Sequence, residues 1–507
     1  MSTEKKSLVM SPKTQLIVKL VPPDGGWGWM VIIGTALSNI FNQSMLSLFS
    51  LLYGDALEAM GHETQGAALV LSTMLFVSNF GGPIAGAIVK LTSTRFVAVS
   101  GAICCTIGIF FSGFSTNIFH LVITYGVLLG LGLGFIQNSS FVAINSYFKL
   151  KKSRAVGLAN VGTGVGQTLM PHLVRYLLEH YGFRGACLLL SSLSLHGIAG
   201  CMLIEPVERH MKKVVEEVTV DETQHLLKEN SKDIVLRKIS QSNGDVEKKE
   251  NEYRRDSKTF NNKEQNAEKI KTEATDQNEK NIITSKMDKK SSLFRKLHDL
   301  FGIALLSDIR FINIVMGTAL AVTSTQNFSM LYPFFLQNYA SMDKQQTANC
   351  MSAVAAADIM GRLILPIFQD KYKIKARWML IMTCIWLIVT RQILAYQTNL
   401  EVLLVMSALY GFGRSMIIVA RNIAISENCS LDQVPAAVGL GMLTMGIIVP
   451  PAGYFLGWIR DFTNSYIACI TAQNALLVVL LVTWIPDMLY LQMKAKRQKK
   501  DNLDYMS

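Results

Sequence analysis

The chain has 507 residues, of which 50% are hydrophobic and only 17% are charged, and its formal net charge is +12 at pH 7. A soluble protein of this size would carry roughly a quarter charged residues, and a disordered protein would lack the long apolar segments that recur here. Both classes are therefore excluded. The 8 cysteines are too sparse for a secreted disulfide scaffold. We attribute the excess of Lys and Arg to the cytoplasmic loops of a membrane protein rather than to nucleic-acid binding.

The first 22 residues form a polar segment with four lysines, Lys5, Lys6, Lys13 and Lys19. No short apolar run in this segment ends in a small-residue cleavage site, so we do not expect a cleaved signal peptide. Residues 1–22 are therefore predicted to be a cytoplasmic N-terminal tail, and the first apolar helix is predicted to act as the insertion signal.

Twelve apolar segments are each long enough to cross a bilayer as a helix, six on either side of a polar break. The predicted spans are residues 27–52, 66–89, 96–114, 118–144, 154–178, 185–204, 309–335, 347–368, 378–395, 402–425, 434–458 and 466–491. They predict an all-α membrane protein with an N-terminal six-helix bundle at 23–205 and a C-terminal six-helix bundle at 301–492. Residues 493–507 are predicted to be a basic cytoplasmic tail.

The polar break at residues 206–300 is dominated by Lys, Glu, Asp, Asn, Gln, Ser and Thr. Such a segment cannot bury enough apolar surface to offset its chain entropy, so we expect a disordered charged cytoplasmic loop. Positive charge collects in the cytoplasmic loops of membrane proteins. With both termini in the cytoplasm, the basic residues of the fourth connection also fall on that side, namely Lys149, Lys151, Lys152 and Arg154.

The two halves resemble each other weakly. The fifth and eleventh spans each contain a glycine-rich stretch followed by proline, Pro171 in one and Pro450-Pro451 in the other. Small residues let membrane helices approach closely and slide. Similar six-helix halves are typical of transporters that rock about a central site, whereas a channel would more often carry a pore loop or rings of charge. The pattern favours a transporter.

Two motifs stand out in the first half. The first span opens with Pro22-Pro23-Asp24-Gly25-Gly26-Trp27-Gly28-Trp29. Asp24 occupies a good N-cap position, facing the positive end of the helix dipole, and the tryptophans suit the headgroup level. The second motif begins with Tyr147-Phe148 and Lys151-Lys152 and continues into Gly157, Gly162 and Gly166. Its simplest interpretation is close helix packing; the functional alternative is a gate between bundles.

These two motifs resemble the signature sequences of the monocarboxylate transporter family, which belongs to the major facilitator superfamily. The matching residues are Asp24, Gly25, Gly26, Trp27 and Trp29, then Tyr147, Phe148, Gly157 and Gly162, and near the end of the chain Pro451, Gly453, Gly457, Asp461 and Tyr466. The resemblance covers both membrane halves and excludes the central loop. It implies the major facilitator superfamily fold and the movement of small organic acids and related compounds across the plasma membrane.

Asp358 and Arg362 lie inside the eighth span, four residues apart, and therefore share a helix face. Charges within a span are costly unless they pair or face water, and they mark functional sites by default. A protonated Asp358 would release Arg362 to hold a carboxylate in a bidentate fork. The alternative is a structural ion pair that locks the helix. The family resemblance also implies that this pair is the substrate and proton site.

The first span departs from the family pattern. In the proton-coupled lactate carriers of the family, a lysine follows the motif aspartate by about 23 residues, and Ser47 stands there in this chain. Gln43 replaces an aromatic residue one turn earlier. This departure counts against proton-coupled lactate transport. It does not count against the prediction that the chain transports other solutes. Gln43, Ser47 and Asn42 are predicted to line the cavity.

Other intramembrane arginines offer a replacement for the missing lysine. Arg414 lies well inside the tenth span, and we expect it either to face the cavity or to reach a neighbour such as Glu427. Arg421 lies nearer the inner end, and we expect a structural role for it. Arg391 lies near the predicted outer end of the ninth span, where we expect its side chain to reach the interface.

We therefore predict a secondary transporter of small monocarboxylates or related organic anions or zwitterions, working by alternating access, with proton coupling left open. The alternatives are a facilitative carrier of aromatic amino acids or carnitine- or creatine-like solutes, and a non-transporting sensor on the same fold. We find no nucleotide loop, metal cluster or nucleophile motif in the sequence, so we expect no enzymatic activity and no cofactor. The expected partners are the substrate, protons, the bilayer and, as the resemblance implies for some members, a single-span accessory glycoprotein.

Overall fold

The computed structural model describes residues 14–60, 63–219, 296 and 298–504. The chain divides into two compact units. Of the described residues, 14–21 and 211–219 belong to the smaller unit, and 22–60, 63–210, 296 and 298–504 belong to the larger one.

The smaller unit contains a two-stranded antiparallel sheet. Strand β1 (Thr14–Val21) pairs with strand β2 (Lys212–Thr219), so that Thr14 lies opposite Thr219 and Val21 lies opposite Lys212. Both strands are rich in valine, a β-branched residue that favours a pleated surface. The prediction of a disordered loop from residue 206 is therefore wrong for β2, because the valines form a strand despite the charged residues around them. Residues 220–295 and residue 297 of that loop lie outside the described residues.

The larger unit begins with the helices of the N-terminal half. They are α1 (Gly28–Ser38), α2 (Met45–Ala59), α3 (Glu63–Leu91), α4 (Thr94–Ser112), α5 (Ile118–Leu121), α6 (Gly130–Tyr147) and α7 (Lys152–Met202). A π-helical segment, Asn39–Gln43, joins α1 to α2, and another, Val122–Leu129, joins α5 to α6. The 51-residue α7 contains two predicted spans, which meet at Gly182, where φ is 63°. Glycine adopts this conformation readily because it has no Cβ.

Six helices form the C-terminal half. They are α8 (Ile309–Asn338), α9 (Lys344–Lys371), α10 (Ala376–Leu394), α11 (Leu400–Ser426), α12 (Val434–Thr463) and α13 (Tyr466–Asp504). Within the part of the chain that the structure describes, ten helices are long and apolar enough to cross a membrane. That count takes the kinked α7 once and omits the 30-residue α8, so each of the twelve predicted spans corresponds to a helical segment.

The polar centre of α8 explains its low hydropathy. Thr318, Thr323, Ser324 and Thr325 are all buried. The hydroxyls of Thr323 and Thr325 donate to carbonyls one turn earlier in the same helix, at 2.8 Å and 2.6 Å. Side-chain hydroxyls satisfied in this way are tolerated inside a membrane bundle, so α8 keeps a polar face towards the protein interior.

Candidate functional site

Asp358 and Arg362 form an ion pair on one face of α9. The Arg362 Nη2 lies 2.5 Å from the Asp358 Oδ2, and the two side chains are only 2% and 4% exposed. Taking such charges out of water costs several kcal/mol per ion, and pairing offsets that cost only with good geometry. The i to i+4 spacing places the two side chains one above the other on the helix. The arrangement therefore holds one carboxylate and one guanidinium deep within the protein.

Arg414 of α11 also approaches Asp358. Its Nη1 lies 3.8 Å from Asp358 Oδ1, and its side chain is 25% exposed. One carboxylate therefore serves two guanidinium groups. Glu427 does not bind Arg414; its carboxylate accepts from the backbone N–H of Ala376, at 3.0 Å for the shorter of two contacts. Burial raises the pKa of the Glu427 carboxyl, which that backbone hydrogen bond partly counters.

A central cavity of about 310 Å³ lies between the two halves and is lined by residues of both. Small-molecule sites typically enclose roughly 300–1,000 Å³, so this cavity suits a compact solute. Three of its lining residues are cationic, Arg362, Arg414 and Arg421. Eight are amides, Asn39, Gln43, Asn79, Gln137, Asn160, Gln167, Gln326 and Asn422. None of the described lining residues is acidic, because Asp358 lies behind Arg362 and Arg414.

Arg421, for which the sequence predicts a structural role, lies in the wall of the cavity. Its Nη1 lies 3.7 Å from the sulfur of Met445, and a thioether sulfur is a weak hydrogen-bond acceptor. Its buried Nε has no hydrogen-bond partner among the described residues. We find no ion pair for Arg421 among the residues that the structure describes. Seven residues separate it from Arg414, two helical turns, and this spacing was a signal that both project from one face of α11.

The predicted cavity residues of the first span separate into two groups. Gln43 lines the cavity and donates from Nε2 to the carbonyl of Leu133 at 3.2 Å. Asn42 does not line it: this side chain is fully buried and accepts from the Ser194 hydroxyl at 2.6 Å. Neighbouring residues in a helix point about 100° apart, and the side chain of Asn42 is directed towards Ser194 of α7. The side chain of Ser47 lies outside the described residues.

One hydrogen bond joins the ion pair to the opposite half. Arg362 Nη1 donates to the backbone carbonyl of Asn160 in α7 at 2.6 Å. Gly157 makes this approach possible, because a Cβ there would lie 2.5 Å from the carbonyl oxygen of Arg362 and 2.8 Å from the Cγ of Pro366. Gly157, whose motif in the sequence leaves close packing and gating open, lies at a contact between the halves.

Further polar contacts join the halves near the basic connection between α6 and α7. The Asp370 carboxylate accepts from the backbone N–H groups of Ser153 and Arg154, at 3.2 Å and 2.9 Å, where α7 begins. A negative charge at this position also interacts favourably with the helix dipole. Asn138 Nδ2 donates to the carbonyl of Pro435 in α12 at 3.2 Å. The two halves are therefore held together at this end of the cavity.

The two signature motifs contact each other at the same end. Asp24 does not cap α1, whose N-cap is Trp27 without a side-chain hydrogen bond. Instead, its carboxylate accepts from the backbone N–H groups of Lys149 and Leu150, at 2.7 Å and 2.8 Å. The expected N-cap is therefore wrong, because the chain turns at Asp24 with φ of 47°. The carboxylate stabilises the connection that leads into α7.

Aromatic contacts join the same two motifs. The ring centroids of Trp29 and Phe148 lie 5.6 Å apart in an edge-to-face arrangement. The Phe148 ring also lies against Gly28, where a Cβ would approach it to 2.8 Å. Trp27 donates from Nε1 to the carbonyl of Leu203 at 3.2 Å. Gly162 of the second motif instead allows α7 to pack closely against Ala36 of α1.

Arg391 does not reach the membrane interface as expected. Its side chain is fully buried in the C-terminal half, where Nη1 donates to the Ser324 hydroxyl at 2.7 Å. The guanidinium carbon lies 4.7 Å and 5.1 Å from the ring centroids of Phe328 and Tyr410. Such cation–π contacts strengthen when the groups are desolvated. Arg391 therefore joins α8, α10 and α11 behind the cavity.

The comparisons with known proteins concern both sequence and fold. Residues 31–258 and 314–501 match the family model described as Major Facilitator Superfamily. The rat protein "Monocarboxylate transporter 13" is 31% identical over 192 residues, which are 38% of this chain and 45% of the relative. The mouse "Monocarboxylate transporter 2" is 32% identical over 184 residues, which are 36% of this chain and 38% of the relative. The matched stretch thus spans less than half the length of either relative.

Solved structures show the same fold at low sequence identity. The human organic anion transporter MFSD10 (TETRAN) matches with a TM-score of 0.60 at 14% identity, over 91% of this chain and all of that one. The proton:xylose symporter XylE matches with a TM-score of 0.58 at 12% identity, over 90% of this chain and 94% of that one. Both of the sequence relatives are named as transporters. The chain therefore belongs to the Major Facilitator Superfamily, and the named relatives confirm its resemblance to the monocarboxylate transporters of that superfamily.

Proposed function

We propose that this secondary transporter moves small organic anions, and that Arg362 and Arg414 bind the anionic group of the substrate. The observation that carries the proposal is the pair of guanidinium groups that share one carboxylate at the wall of a compact central cavity. Arginine binds carboxylates through two parallel hydrogen bonds, which gives both affinity and orientation. The amide side chains around the arginines supply further donors for the polar groups of a small acid.

Asp358 acts as the switch in this proposal. When its carboxylate is ionised, it competes with the substrate for Arg362. Protonation or displacement of Asp358 frees that guanidinium to hold the substrate carboxylate. Proton symport follows if the proton travels with the substrate; facilitated diffusion follows if Asp358 stays ionised throughout the cycle. An ion pair that opens only for the substrate also explains why a costly buried charge pair stands beside the cavity.

A zwitterion fits the cavity less well than an anion. The described lining residues offer no carboxylate to an ammonium group, and only Phe76 and Phe141 offer aromatic rings. A quaternary ammonium group is usually held by several aromatic faces. The cavity therefore favours small anions over carnitine-like solutes.

The access cycle rests on the contacts between the halves. Basic residues cluster beside the Asp370 contact, and such residues collect on the cytoplasmic side. With both termini in the cytoplasm, these contacts close the inner end, and the conformation described above is outward-facing. Rocking of the halves would break the bonds of Asp370, Arg362 and Asn138 and open the cavity inwards.

We propose that this multi-pass protein lies in the plasma membrane, because its resemblance to the monocarboxylate transporters implies that location. A single-span accessory glycoprotein is a further proposal from the same resemblance. Co-purification of the full-length protein from its native membrane tests that partner. Recovery of the transporter alone, with full activity in vesicles, would rule it out.

The test is uptake in cells that express the chain. Labelled lactate, an aromatic amino acid and carnitine would each be supplied at external pH 6 and pH 7.5. Wild type would be compared with Arg362→Ala, and with Arg175→Ala as a matched control, since Arg175 is exposed and, within the described parts of the chain, pairs only with Glu179. We expect anion uptake that Arg362→Ala abolishes and Arg175→Ala preserves. Surface-expressed protein that binds a solute without moving it would favour the sensor instead.

A further inference from the structure

The central cavity has an excess of positive charge that a single carboxylate does not balance. Arg362, Arg414 and Arg421 all line it, and Asp358 is the one acidic side chain that pairs with any of them among the described residues. Two positive charges are therefore unmatched. The charges of Arg414 and Arg421 each repel that of Arg362. The net positive charge of the cavity lining therefore favours a ligand that supplies negative charge.

The unmatched charges stand at two separate positions. Arg362 and Arg414 meet at Asp358, whereas the Nη1 of Arg421 contacts the thioether of Met445 and its buried Nε has no hydrogen-bond partner among the described residues. Arg414 and Arg421 are two turns apart on one face of α11, which corresponds to a rise of about 10 Å. A guanidinium group offers five N–H donors, and those of Arg421 need acceptors that the protein does not provide here. The geometry therefore offers two anion positions within one small cavity.

Closure of the cavity makes the charge balance decisive. Alternating access requires the loaded cavity to lose water, and uncompensated charge is very costly in a dry interior. A monocarboxylate would leave one positive charge unmatched even with Asp358 ionised. A substrate with two negative groups would leave none. Charge balance with such a substrate needs no proton, because the substrate displaces the carboxylate of Asp358 from Arg362 and that carboxylate stays ionised.

We propose that the preferred substrate is a small organic dianion, typified by a short dicarboxylate, with one carboxylate held by Arg362 and Arg414 and the other by Arg421. This inference rests on the proposed function, since it names the substrate class of the same site. Arg421 becomes the residue that determines specificity. The surrounding amides, Gln43 and Asn422 among them, donate to the remaining carboxylate oxygens.

The test compares succinate with monomethyl succinate, which has the same backbone and one charge fewer. Uptake of each labelled compound would be measured in cells, and thermal stabilisation by each would be measured on purified full-length protein. We expect wild type to prefer succinate over monomethyl succinate by at least about tenfold. A tenfold preference corresponds to about 1.4 kcal/mol of difference in binding free energy. Arg421→Gln should reduce that preference to near unity, Arg421→Lys should retain part of it, and the exposed control Arg175→Gln should leave it unchanged.

The outcomes separate this inference from the proposed function. Equal handling of the two compounds by wild type, or a succinate preference that survives Arg421→Gln, overturns the dianion inference and leaves anion transport standing. Uptake of lactate without uptake of succinate would likewise overturn the dianion inference and leave anion transport standing. Failure of surface-expressed protein to bind or move succinate, its monoester and lactate overturns both. The stabilisation measurement distinguishes an Arg421 variant that has lost binding from one that has failed to fold.

Discussion

Arg362 donates to the backbone carbonyl of Asn160 at 2.6 Å, and this bond links the candidate anion site to the opposite half of the protein. The same guanidinium pairs with Asp358. A substrate that reorients Arg362 therefore acts on the contact between the halves as well as on the ion pair. In the proposed cycle, binding and opening are coupled through this side chain, since a ligand shifts a conformational equilibrium only through contacts that differ between the two states.

The Asp358→Asn variant tests the proposed switch. The amide cannot take up a proton in the pH range of uptake and carries no charge to compete for Arg362. We expect the pH dependence of uptake to disappear if transport is proton-coupled, and the apparent affinity for the anion to rise. Uptake across external pH 5.5–8 in wild type and variant provides the measurement. A variant that remains active with an unchanged pH profile would remove Asp358 from the proton pathway.

Asp370→Asn should weaken the contact between the halves that the proposed cycle places at the closed inner end. The carboxylate accepts from two backbone N–H groups at the start of α7 and lies 3.6 Å from the Arg154 side chain. Loss of its charge should cost about 1–2 kcal/mol of the closed state, because hydrogen bonds to charged groups are stronger than neutral ones. The population should therefore shift towards the inward-facing state.

The substitution Gln167→Cys, made in a protein whose native cysteines have been replaced, measures that shift between the two states. Gln167 lines the cavity, and an impermeant thiol reagent added outside should label it several-fold more slowly in Asp370→Asn. Asp461→Asn is the control, since its side chain is 70% exposed and its carboxylate pairs with Arg460 alone among the described residues. Equal labelling rates in all three proteins would contradict the role given to Asp370.

Gly157→Ala should impair transport through packing. The new methyl group would lie 2.5 Å from the carbonyl oxygen of Arg362, a distance that the backbone cannot accommodate without moving α7 away from α9. We expect a clear loss of maximal uptake, with protein still present at the cell surface. Gly457→Ala is the matched control, because a Cβ there meets nothing within 4 Å. Similar activity of the two variants would show that close approach at Gly157 is not required.

Asp24→Ala should destabilise the connection that precedes α7. It removes the acceptor for the N–H groups of Lys149 and Leu150 and places alanine at a positive φ. Together these changes should cost about 2 kcal/mol or more. Asp24→Asn keeps an acceptor oxygen and tolerates the left-handed conformation, so it should lose less.

The midpoint of thermal unfolding in detergent, followed by tryptophan fluorescence, measures the Asp24 effect. We expect the order wild type, Asp24→Asn, Asp24→Ala from most to least stable. An Asp24→Ala protein as stable as wild type would mean that the two signature motifs do not depend on this carboxylate.

Local chemistry made several features predictable. Apolar segments of span length predict membrane helices, because the bilayer leaves no partner for backbone polar groups except other backbone groups. The i to i+4 spacing of Asp358 and Arg362 determines that their side chains are neighbours whatever the surrounding packing. Three features were not predictable in this way. The strand β2 forms by pairing with β1, Arg391 is buried by contacts with Ser324 and two aromatic rings, and Asp24 binds a connection 125 residues away.

The sequence by itself therefore determined the membrane class, the helical segments, the family resemblance and the buried ion pair, since each depends on composition or on spacing within one helix. The tertiary structure alone decided which polar residues share the cavity. Arg421 lines it with Arg362 and Arg414, whereas Asn42 bonds to Ser194 behind it. The physical reason is that a cavity between two bundles is lined by side chains from helices far apart in the chain, and no local spacing specifies how those helices are rotated about their axes.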